Sequence, residues 1–85
     1  MNEAEKYDAD VAALMRSHGD VLRAVVNGKM AEHIAFIVSS EQGEADKREE
    51  AYHSIRVLKD LLTSFENSLF YDDNRRAADR PVTDL

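Results

Sequence analysis

Cysteine is missing from this 85-residue chain, proline occurs once (Pro81), and glycine occurs three times. Without cysteine there are no disulfides, no thiolate nucleophile and no Cys-based zinc site. Long apolar runs are also missing: none approaches the ~20 residues that span a bilayer. The opening MNEAEKYDAD is acidic and has no apolar core, so it does not read as a signal peptide, and a cytoplasmic protein is expected. Positive charge is scarce. Eleven Lys and Arg face seventeen Asp and Glu, for a net charge of −6. That balance argues against a general binder of phosphate backbones, which needs a basic face. It suits a basic protein partner instead. No Walker or Rossmann glycine pattern is present. Ser17, His18 and Asp20 are too close in sequence for a hydrolase triad and have no nucleophile elbow beside them. No cofactor and no catalytic activity are expected.

What the chain does contain is helical periodicity. Ala4, Tyr7, Val11, Leu14 and Met15 share one face of a segment from about Ala4 to Ser17. Glu3, Glu5, Asp8 and Asp10 load its first turns with charge that the helix dipole favours. His18-Gly19 is a stop, with Gly19 suited to a left-handed C′ position, and Asp20 is placed to cap a second helix. In DVLRAVVNGKMAEHIAFIVSS, Leu22, Val26, Met30 and Ile37 form one face, and Val21, Val25, Ala35 and Phe36 form another. A helix apolar on two faces belongs at the centre of a fold. Asn27-Gly28 is also a type I′ hairpin signal, but strict alternation is missing on both sides of it, so helix is the preferred reading. Gly28 costs ~1 kcal/mol relative to Ala there, and a close approach or a bend would explain it.

Ser39-Ser40 and Gly43 mark the next break. A third helix is expected from about Glu44 to Tyr71. Its seam, Ala51, Ile55, Leu58, Leu62, Phe65 and Leu69, alternates steps of four and three, a heptad pattern over nearly three heptads. From Asp72 on, DDNRRAADRPVTDL is polar, and residues 72–85 are expected to form a flexible tail. Its arginines read as a solvated helix end, and its terminal VTDL fits the C-termini taken by strand-addition domains. The expected fold is therefore all-α: one domain over residues 1–71, with a short helix 1, an apolar central helix 2 and a long helix 3. A chain this short is marginal alone, so association is the expected extra source of stability. About 28 residues of helix span ~42 Å, longer than the other two helices. The seam near Leu62, Phe65 and Leu69 should then pack on another copy, giving a homodimeric bundle.

Chemistry-bearing residues are few. Glu50 and His53 form an E-x-x-H pair, and Glu32 lies about as far before the Gly43 turn as Glu50 lies after it. Two such hairpins would supply two Glu and two E-x-x-H sets. That pattern is similar to the half-ferritin-like di-iron proteins, and the resemblance would imply metal binding and iron oxidation. Against it, Glu50 and His53 face away from the main seam, beside a weaker apolar edge at Val57 and Leu61. A metal is not the favoured reading. His33 sits among Val26, Met30 and Ile37 as a structural or pH-responsive histidine. The preferred function is a small acidic interaction module, a dimeric adaptor, regulator or inhibitor of a larger complex, with the seam as its interface. An acidic nucleic-acid mimic is the further alternative.

Overall fold

The computed structural model describes residues 1–79; the expectations for Pro81 and the terminal VTDL lie outside the described residues. The described chain is helical and has no strands. Helix α1 runs Glu3–Ser39 and helix α2 runs Ala45–Asp79, joined by a short 3-10 turn at Gln42–Glu44. No helix is long and apolar enough to cross a membrane.

Each boundary has a local cause. Asn2 caps α1: its Oδ1 accepts from the Glu5 backbone N–H at 2.8 Å, and the Glu5 carboxylate accepts from the Asn2 N–H at 3.4 Å. This reciprocal box satisfies donors that the first turn leaves open. At the far end the Ser40 N–H and hydroxyl both reach back to the Ile37 carbonyl. Glu41 and Glu44 form a second box. Arg48 then straps the turn, donating to the Glu41 carbonyl at 2.7 Å and to the Ser40 hydroxyl at 3.1 Å.

Three separate helices were expected; the structure has two long ones, the first kinked. His18 leaves the helical region (φ −133°, ψ 17°), and this divides α1 into an N-terminal arm (3–17) and a C-terminal arm (19–39). Just before the kink the Ser17 hydroxyl donates to the Ala13 carbonyl, a back-bond that bends helices. Gly19 follows, yet no glycine takes a positive φ, so the expected left-handed stop is not formed. Gly19 is buried, and a Cβ there would come within 3.1 Å of the Arg23 guanidinium. Its lack of a side chain matters, not left-handed freedom. The Asn27-Gly28 stretch is helical, and nothing lies within 4 Å of a Cβ at Gly28. Gly28 therefore makes neither the close approach nor the bend expected of it.

The polar contacts fix how the helices lie. Near the turn Arg48 meets Ser40, and farther along Arg23 meets Glu66 at 3.3 Å. The C-terminal arm and α2 are thus antiparallel and in constant register. Arg16 meets Asp72 at 2.9 Å. Eight residues earlier Asp8 bonds Ser68, not a residue beyond Asp72. A straight α1 would carry Asp8 ~12 Å past Asp72. The N-terminal arm instead bends back over α2.

Helix α2 is also longer than expected, at 35 residues. Residues 72–79 continue the helix and are not a loose tail. The seam on α2 accordingly has a partner within its own chain. Ala51 is buried, while Ile55, Leu58, Leu62, Phe65 and Leu69 are half-buried. The length mismatch that argued for a second copy disappears, because α1 spans 37 residues. On the C-terminal arm Val26 is buried and Leu22, Met30 and Ile37 are half-buried, as that face requires. The N-terminal arm is turned from its expected face. Ala12 and Met15 are buried and Val11 is half-buried, while Ala4, Tyr7 and Leu14 are exposed. The small Ala12 is fully buried on the inner side of the arm, and one turn away Asp8 is accommodated by the Ser68 hydroxyl at 2.8 Å.

Candidate functional site

Two regions concentrate polar chemistry. The first is an ion cluster on the seam. Leu69, Asp72 and Arg76 continue the three-and-four spacing of α2, so Asp72 occupies a core position. Its side chain has no exposed surface. One carboxylate oxygen accepts from Arg16 at 2.9 Å and lies 3.1 Å from Arg76 Nε; the other accepts from Arg75 at 2.6 Å. Arg16 also reaches Asp73. The hydrogen bond from Arg16, then that from Arg75, hold the Asp72 carboxyl below the usual carboxylate range, against the opposing effect of burial. The bonds to Asp73 and Asp72 raise Arg16 in turn. A buried carboxylate is tolerable only when paired and hydrogen-bonded, and here three guanidinium groups do both. No buried side-chain nitrogen or oxygen among the described residues lacks a partner. The cluster joins the N-terminal arm to the end of α2.

The second region is a trough between the C-terminal arm and α2, near the turn. Two shallow depressions of about 320 and 270 Å³ share His33 and Ser54 and merge into it. Lys29, His33 and Phe36 line it from α1, and Lys47, Glu50, Ser54 and Val57 from α2. His53 stands at its edge, largely exposed.

The expected metal set is only partly brought together. Glu50 and His53 border the trough, with His33 opposite. Glu32 is not among the lining residues: it is exposed and pairs with Lys29 at 3.5 Å. Among the described residues no group of three or more His, Cys, Asp or Glu could hold a metal ion. Of the expected interface residues, Ala51 and Leu58 lie on the trough floor. His18 is the kink rather than a plain helix end. Asp72 and its arginines were missed as a site. The signal was the unbroken seam spacing through Leu69, Asp72 and Arg76, hidden by the polarity of the stretch.

A third depression, of about 320 Å³, lies between Tyr7 and Asp8 of the N-terminal arm and residues 60–71 of α2. Its α2 wall includes Ser64, Ser68 and Tyr71. These continue the stripe formed by Glu50, Ser54, Val57 and Leu61, again in alternating steps of four and three. One face of α2 therefore carries the N-terminal arm over its later half and opens into the trough over its first half.

Compared with protein-family models, with curated proteins and with solved structures, the chain matches none.

Proposed function

We propose that the protein is a helical interaction module, a non-catalytic adaptor, regulator or inhibitor that works in the cytoplasm by docking its helix faces on protein partners, itself included. The carrying observation is the apolar surface left outside. Val21, Val25, Val57 and Leu61 are roughly half exposed. Single exposed apolar residues are ordinary. Here they flank a trough and recur at helical spacing, and grouped apolar surface marks interaction sites. Recognition of this kind lays an amphipathic helix into a groove.

The test is site-specific photocross-linking of the full chain in extract of its native host. Cross-linkers at Val25 and Val57 should trap discrete partners, and a Val21→Asp/Leu61→Asp background should abolish the trapping. The same adducts from a cross-linker at exposed Arg56, or adducts indifferent to the two substitutions, would remove the reading.

A further inference from the structure

We infer that the open trough is the docking site for a second copy of this chain, seated about a two-fold axis with trough against trough. The inference rests on the interaction-module reading and names its partner.

The α2 stripe that floors the trough at Ser54 and Val57 runs on through Leu61, Ser64 and Ser68 to Tyr71. Over that later half the occupant is the N-terminal arm of the same chain. The face accepts a helix, and the arm leaves its first half uncovered. Charge of both signs rims the trough: Lys29 on α1, with Glu32 paired to it just outside the lining, and Lys47 and Glu50 three residues apart on α2. A two-fold axis turns such a rim onto itself so that each sign can meet its opposite. An isologous contact needs this self-complementarity. A strongly basic or acidic partner would not match this mixed rim. The chain exposes 6563 Å², whereas a compact monomer of its mass exposes about 5,100 Å². The excess of roughly 1,500 Å² exceeds the ~800 Å² that each partner gives to a standard interface. Helices in the trough would also cover Val25 and Val57, which are 55% and 51% exposed.

The experiment uses the purified full chain alone. Sedimentation equilibrium from micromolar to millimolar concentration should show a reversible monomer–dimer equilibrium. Val57→Glu should weaken it at least about tenfold, as loss of a central apolar anchor does, with an unchanged circular dichroism spectrum. Lys47→Glu should also weaken it, and adding Glu50→Lys to that variant should recover most of the loss. Val38→Glu, on the opposite side of the hairpin, should leave association unchanged. Because the chain has no cysteine, Val57→Cys accepts a single spin label. A labelled chain mixed with isotope-labelled wild type should broaden the amide signals of residues 29–36 and 50–57 of the unlabelled copy. A wild type that stays monomeric at millimolar concentration overturns the inference, as do equal losses from Val38→Glu and Val57→Glu. If it is monomeric while Val25 and Val57 still trap host proteins, only the self-docking fails. If the host cross-links are lost as well, the interaction-module reading fails with it.

Discussion

Asp72 shows how much one residue can decide. Placed on a seam of Leu and Phe, it would be costly to bury alone. With Arg16, Arg75 and Arg76 around it, it fixes which part of α1 meets the end of α2. A polar group on an apolar seam specifies register in this way. Its titration has a definite sign. The Arg16 and then the Arg75 hydrogen bond hold the folded carboxyl below its ordinary value, so its contribution is fully present above the ordinary carboxylate range. It is lost progressively as pH falls from there through the lowered folded value. Urea midpoints should therefore drop between pH 5 and strongly acid solution, and Asp72→Asn should flatten that acid limb while lowering the midpoint at neutral pH. A wild-type acid limb identical to that of Asp72→Asn would contradict the assignment. The glycines test a different residue-scale effect. Gly28 is exposed in a helix interior with open space around it, so Gly28→Ala should stabilise by about 0.5–1 kcal/mol. Gly19→Ala should gain less, because its methyl group pushes the Arg23 guanidinium that holds Glu66. Thermal melts of the two variants, compared directly, measure the difference.

At the scale of elements, periodicity made the helices legible, and with them the seam of α2. It showed the Leu22, Val26, Met30 and Ile37 face correctly. It misjudged the N-terminal arm, because hydrophobicity ranks Tyr7 and Leu14 above Ala12 as core residues. In the structure the small Ala12 is fully buried instead, and a long-range bond from Ser68 offsets the cost of bringing Asp8 inward. The end of α2 was illegible for a related reason. Asp72 reads as polar surface until Arg16, 56 residues away in sequence, is known to lie beside it. The trough was half visible, since Val57 and Leu61 marked a second apolar edge beside Glu50, but its opposite wall required the register. The arm supplies the prediction at this scale. Its buried anchor is Met15, 3% exposed, and truncating a buried Met costs ~2–5 kcal/mol. Met15→Ala should release the arm before the hairpin melts. Hydrogen exchange would then show residues 5–16 losing protection while residues 23–38 keep most of theirs; uniform loss over both arms would mean that α1 unfolds as one unit.

At the scale of the whole molecule, the shape follows from placing 37 and 35 residues in two long helices. The radius of gyration is 18.3 Å and the extents are 66 × 23 × 18 Å, whereas a compact domain of this length has a radius near 12 Å. A rod cannot bury its seams fully. Only Ala12, Met15, Val26 and Ala51 are buried apolar residues among those described, and the large seam side chains stay half wet. Such a molecule gains more from association than a globule of equal mass, because each copy already holds its surface in helical order. The ordering entropy of association is correspondingly small. Small-angle scattering measures both halves of this argument. At infinite dilution the radius should approach 18 Å. As concentration rises the forward scattering per unit mass should climb towards twice its dilute value, and the radius should grow with it. Trough-to-trough packing overlaps only the turn-proximal halves, so two copies make a longer object, not a thicker one, and the cross-sectional radius should change less than the overall one. A dilute radius near 12 Å would mean that the long helices themselves break in solution, because 35 residues of intact α2 span ~52 Å. A dimer whose overall radius equals that of the monomer would mean that the copies align along their full length, with the N-terminal arms displaced.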